Sequence, residues 1–157
     1  MTPVGPSETL HGVLVNVAGT GVVITGESGL GKSSCALELI SRGHRLVSDD
    51  VIVVETLDDR LIGSVPDRLD GLLHVRGLGI VDVRELFGPT AFMPRCTIDV
   101  CIEFTSGFTD FDPLAQEVFE FLGVNLRKFV VHSETGRSLP ILVETAARLV
   151  ISAGELR

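Results

Sequence analysis

The run Gly26-Glu27-Ser28-Gly29-Leu30-Gly31-Lys32-Ser33 has the residue types and spacing of a loop that holds a polyphosphate. Its glycines allow backbone amides to converge on phosphate oxygens, and a helix starting at the end of the loop adds the positive end of its dipole. Lys32 would reach the β- and γ-phosphates as a compact charge, and the Ser33 hydroxyl would ligate a magnesium ion that screens them. The chemistry indicated is the handling of a nucleotide or polyphosphate. A second pair, Asp49 and Asp50, follows the apolar Leu46-Val47 and so falls at a strand end, where open α/β sheets place ligands. One carboxylate can sit near a metal and the other near an incoming hydroxyl, as a general base. An acidic turn with no chemical role would read the same way.

Other polar residues are less specific. His11 precedes the first apolar strand and could orient a carboxylate, although an ordinary structural histidine fits as well. Arg76-Gly77 and Gly136-Arg137 could clamp a phosphate, as could any arginine beside a glycine, and His74 is likewise unassigned by pattern alone. The N-K-x-D and D-x-x-G runs of a guanine-nucleotide switch are absent.

These residues need a scaffold, and the patterning supplies one α/β domain. Val13 to Val15 and Val22 to Ile24 read as strands joined by a turn at Ala18 to Gly21, leading into the loop. Lys32 to Ser41 reads as a helix with Cys35, Ala36, Leu39 and Ile40 on one face, stopped at Gly43. Strands follow at Arg45 to Val47, Val51 to Val54 and Leu61 to Val65, the last two separated by Asp58-Asp59. Glycines inside Leu72 to Val83 favour strand, tight loop and strand, with a short helix at Val83 to Phe87 stopped by Gly88-Pro89. Thr97 to Phe104 is expected as one strand, Thr105 to Pro113 as a loop and Leu126 to Val131 as a strand. Ser138 to Ser152 is expected as a helix facing inward through Leu142, Ala146, Leu149 and Val150, with Gly154 as its stop. Residues 1–9 are expected to be a linker or boundary segment, and 10–157 the catalytic domain.

Composition narrows the partners. A net charge of −8 and a pI near 4.9 disfavour nucleic acid and anionic membranes. Three irregularly spaced cysteines suit a reducing compartment, and the absence of a signal-like opening or a bilayer-length apolar run makes a cytoplasmic location the expectation.

Taken together, His11 to Val15, the P-loop, Arg42 to Asp50 and Val75-Arg76-Gly77-Leu78-Gly79-Ile80-Val81-Asp82-Val83 resemble the catalytic domain of the bacterial HPr kinase/phosphorylase family. The resemblance runs from about His11 to Ala153. It implies a P-loop kinase fold similar to phosphoenolpyruvate carboxykinases, a homo-hexamer, and ATP with Mg2+. It also implies phosphorylation of a serine of the phosphocarrier HPr, reversed by phosphorolysis. On the same resemblance Asp50 is the base, His11 and Lys32 are its companions, and Ser33 is a magnesium ligand. Asp49 belongs to the same acidic pair, and Arg76 with Gly77-Leu78-Gly79 shapes the catalytic centre. The chain departs from the family pattern at His74, where a glutamate that ligates a second magnesium is usual. It departs again at Asp110 to Pro113, which lacks an expected arginine, and around Gly136-Arg137. A nucleotide-binding module with weakened catalysis, or a P-loop kinase for a small molecule, therefore stays open.

Overall fold

The computed structural model describes residues 7–106, 117–133 and 138–155, and its apolar runs become strands covered on both faces. A six-stranded sheet has the order β11-β12-β10-β3-β2-β4. Its members are β2 (Val13–Val17), β3 (Thr20–Gly26), β4 (Arg45–Ser48), β10 (Val100–Thr105), β11 (Glu117–Phe121) and β12 (Val124–His132). β10 runs parallel to both β3 and β12, while β2, β4 and β11 pair antiparallel with their neighbours. A four-stranded sheet packs on one face, ordered β1-β5-β6-β9: β1 (Ser7–His11), β5 (Val51–Leu57), β6 (Arg60–Ser64) and β9 (Arg95–Ile98). The helices α1 (Lys32–Ser41) and α3 (Leu139–Glu155) cover the other.

The side-chain period of two explains this sandwich. Val13, Val15, Val22, Ile24, Val100, Ile102 and Phe104 pack with the helices, while the intervening Leu14, Val23 and Cys101 pack with Ile52, Val54, Leu61 and Ile98 of the smaller sheet. With no solvated face, the central strands lose the alternation of a half-exposed sheet and read as continuous apolar runs. A two-stranded hairpin, β7 (Leu72–Val75) and β8 (Gly79–Asp82), forms its own sheet, buries Leu73 and Val75 beside α1, and leads into α2 (Val83–Phe87). Asp82 caps α2 by accepting the Arg84 amide.

Four expectations require correction, and one strand is added. Residues Ser7 to Thr9, placed in a linker segment, pair with Val53 to Glu55 as part of β1. The single strand over Thr97 to Phe104 is two, β9 and β10, in different sheets. Its break is at Asp99, which accepts the Gly21 amide at 2.8 Å through Oδ2 and donates its own amide to the Gly21 carbonyl at 2.8 Å. α3 buries Ala146 and packs Val150 against the core as expected, but it adds buried Val143 and Ala147, whereas Leu149 is 46% exposed. The small side chains let the helix lie close to β3, β10 and α1. Finally, β11 was not anticipated, and α3 passes through Gly154 to Glu155. Much of the expected loop after Thr105, with Asp110 to Pro113, and the Gly136-Arg137 pair lie outside the described residues.

The crossing at Gly21 allows no side chain, because a Cβ there would lie 1.7 Å from the Thr97 carbonyl oxygen. Gly21→Ala is therefore expected to destabilise the domain by about 3 kcal/mol through forced backbone shifts. Urea unfolding checks this; an unchanged midpoint would mean that the two sheets do not meet so tightly.

α1 is tied to α3 where Glu144 accepts from Arg42 and lies 2.7 Å from the His44 ring. Burial pushes the Glu144 carboxyl up, but the His44 and Arg42 hydrogen bonds outweigh it and hold the group below its usual value. A carboxylate lowered on folding stabilises above its unfolded pKa, about 4.3, and that stability is lost as pH falls through the folded value. Since Arg42 is 43% exposed, solvent weakens the pair. Glu144→Gln should then cost about 1 kcal/mol at pH 7 and nothing once pH falls well below 4, measured by thermal unfolding at each pH.

Candidate active site

The P-loop follows β3 and ends in α1. Gly26, Gly29 and Gly31 have φ of 130°, 86° and 90°, values in or near the left-handed region that side chains avoid. Gly26 also passes so close to β10 that a Cβ would lie 2.3 Å from the Phe104 carbonyl oxygen. Gly31 begins α1 in a left-handed conformation, no side chain caps the helix, and its first turn carries no acid. The amides at this end are therefore open to an anion. Lys32 donates to the carbonyls of Gly26 and Glu27, folding its amine over the loop, and Leu30 packs against the core.

The acidic pair arrives from the end of β4. Asp49 accepts the Ser33 hydroxyl at 2.9 Å through one oxygen and the His74 amide at 3.0 Å through the other. One carboxylate thus joins the P-loop to the β7–β8 hairpin. Asp50 is exposed, with φ 71°, and its carbonyl accepts the Gly12 amide at 3.0 Å. That left-handed step turns two sequential aspartates to different tasks: Asp49 is engaged with the loop, and Asp50 faces open space.

A cleft of about 570 Å³ brings Lys32, Ser33, Asp49 and Asp50 together with His74 and Arg76. Ser28, Gly29 and Gly31 supply its loop side, and Val13 and Gly77 complete other parts of the wall. His11 is not in the lining. It is exposed, at the end of β1 opposite Val51, the residue after Asp50. Its expected partnership with Asp50 is expressed only through neighbouring backbone, since no hydrogen bond joins their side chains among the described residues. Gly12 was missed as a site residue. Its amide holds Asp50, and a Cβ on it would come within 2.6 Å of the Ile24 carbonyl oxygen. No cysteine lines the cleft, and burial pushes Cys35 up to about 12, and Cys96 and Cys101 up to about 11.

Residues 3–154 match the family model described as HPr Serine kinase C-terminal domain. The chain belongs to this family. It is 44% identical over 146 residues to an HPr kinase/phosphorylase of Clostridium beijerinckii, covering 90% of this chain and 48% of the relative. It is 43% identical over 147 residues to that of Geobacillus thermodenitrificans, again over 90% of this chain and 48% of the relative. The chain spans about half the length of the curated relatives it matches. A solved structure, the Hpr(Ser) kinase/phosphatase from Coxiella burnetii, superposes with a TM-score of 0.86 at 36% identity, covering 94% of this chain and 93% of that one. The HPr kinase C-terminal domain is thus the source of the mixed α/β fold described above.

Proposed function

We propose that this chain is the catalytic domain of an ATP-dependent protein serine kinase acting on the phosphocarrier HPr, with phosphorolysis of the phosphoserine as the reverse activity. Family membership supports the assignment, and one observation carries the chemistry: the P-loop lysine and serine share a cleft with two aspartates held in different roles.

The donor set fits magnesium. Ser33 Oγ and Asp49 Oδ1 are hard oxygen donors 2.9 Å apart, and a site with few carboxylates matches an ion that keeps waters and shares phosphate oxygens. Bound there, the ion would neutralise charge on the phosphate oxygens. No cluster of His, Cys, Asp and Glu large enough to hold a metal alone occurs among the described residues.

In the forward direction Asp50 takes the proton of the seryl hydroxyl as its oxygen bonds to the γ-phosphorus, and the bond to the β,γ-bridging oxygen breaks to release ADP. Lys32 and the α1 amides hold the equatorial and leaving oxygens, so positioning and charge neutralisation supply most of the acceleration. In reverse, inorganic phosphate attacks the phosphoserine, pyrophosphate leaves, and Asp50 returns the proton to the serine. Arg76, at the turn of the β7–β8 hairpin, shares the cleft lining with Lys32 and Asp50 and would meet a phosphoryl group there. A P-loop kinase fold of the phosphoenolpyruvate carboxykinase kind, a hexameric assembly and a cytoplasmic location are carried by the same resemblance. No helix of the described residues is long and apolar enough to cross a membrane.

Incubation with labelled ATP, magnesium and HPr tests the reading, which requires label on an HPr serine. His74 in the cleft favours a second reading, a nucleotide-binding module with weakened turnover, because imidazole is a poor magnesium ligand. Tight ATP binding without transfer would select that reading, and transfer only to a small hydroxyl compound would overturn both.

A further inference from the structure

A second cavity, about 660 Å³, lies on the other side of the P-loop from Asp50 and has no part in the chemistry above. It shares Gly29, Gly31 and Ser34 with the catalytic cleft, so the two spaces meet across the loop. Leu30, Leu139 and Pro140 form an apolar side, and Glu38 lies on the α1 side. Leu30 and Leu139 are half-buried and packed against the core, and Pro140 is buried, which fixes that wall. Glu38 is exposed, one turn beyond Ser34, and its carboxylate has no hydrogen-bond or ion-pair partner among the described residues.

We propose that this cavity receives the nucleoside of the nucleotide, with the base against Leu30, Leu139 and Pro140 and a ribose hydroxyl donating to Glu38. The inference rests on the kinase reading above, which sets the direction of the chain of phosphates. With the terminal phosphoryl group aimed at Asp50, the α-phosphate must leave the loop on the side where the second cavity opens. A flat, weakly polar ring gains from an apolar wall whose side chains are already ordered, and a carboxylate suits vicinal ribose hydroxyls, which are donors. Leu139 lies 107 residues beyond Lys32 in sequence, so the start of α3 would read the nucleoside while the P-loop reads the phosphates.

Calorimetric titration with magnesium and either ATP or inorganic tripolyphosphate separates the two halves of the ligand. The unaltered protein should bind ATP at least about tenfold more tightly than tripolyphosphate. The double variant Glu38→Ala/Leu139→Ala should lose most of that advantage while binding tripolyphosphate as before. Retained tripolyphosphate binding also shows that the variant is folded; if the double variant loses both ligands, Glu38→Ala alone, a change on an exposed face, decides by the same comparison. Equal binding of ATP and tripolyphosphate by the unaltered protein, or an undiminished ATP preference in the variant, would overturn the assignment. Failure of the unaltered protein to bind either ligand would overturn the kinase reading as well.

Discussion

Asp50→Asn should reduce phosphoryl transfer from ATP to a seryl acceptor by roughly a thousandfold while leaving ATP affinity within about twofold. The amide keeps the size and polarity of the side chain but takes no proton at neutral pH. Asparagine also tolerates the left-handed backbone that residue 50 adopts at φ 71°, so the turn and its bond from the Gly12 amide should persist. Loss of activity would then reflect proton transfer and not misfolding. Single-turnover transfer and equilibrium ATP binding, measured on the same preparation, give the two numbers. Undiminished transfer would remove Asp50 from the role of base and shift attention to Asp49.

Lys32→Met acts on the other half of the reaction. The ammonium group bonds to the Gly26 and Glu27 carbonyls, both on the exposed loop, so methionine should leave water to satisfy them and the fold should hold. What disappears is a charged donor to the phosphates, worth about 3 kcal/mol at a phosphate site, or roughly a hundredfold in ATP affinity. Transfer should fall further, because charge on the β,γ-bridging oxygen grows as its bond breaks. Calorimetry with ATP and magnesium checks the affinity. An unchanged dissociation constant would mean that the lysine stays folded over the loop even when nucleotide is present.

Much of this site was legible in sequence because its parts are local. The P-loop, its strand and its helix are contiguous, and the inward face of α1 at Cys35, Ala36, Leu39 and Ile40 is as the helical period places it. The strand, turn and strand over Leu72 to Val83 and the short α2 were likewise marked by glycines and by Gly88-Pro89. The missing pieces depend on residues far apart in the chain. Nothing near Asp99 announces that its partner is Gly21, and without that pairing Thr97 to Phe104 looks like one strand. The face of α3 could not be separated from a neighbouring register, since Leu142 and Leu149 are as apolar as Val143 and larger than Ala147. Close packing on the sheet selected the smaller set. β11 did carry a signal: Phe119 and Phe121 flank Glu120 at a period of two and precede Leu122-Gly123, whose positive φ values of 50° and 77° make a two-residue hairpin turn. The role of Gly12 and the bond of Asp49 to the His74 amide had none, because each depends on a contact that forms only once separate elements meet.

The single carboxylate of Asp49 has a consequence for how the cleft responds to its contents. It grips the phosphate loop through Ser33 and the arginine-bearing hairpin through the His74 amide, and the hairpin belongs to neither large sheet. Under the proposed function, a cation held by Ser33 would compete for the same carboxylate that accepts the His74 amide. On that reading, an ion on one bank of the cleft would reach the other through a single side chain, at the exposed end of a hairpin whose Leu73 and Val75 stay seated in the core.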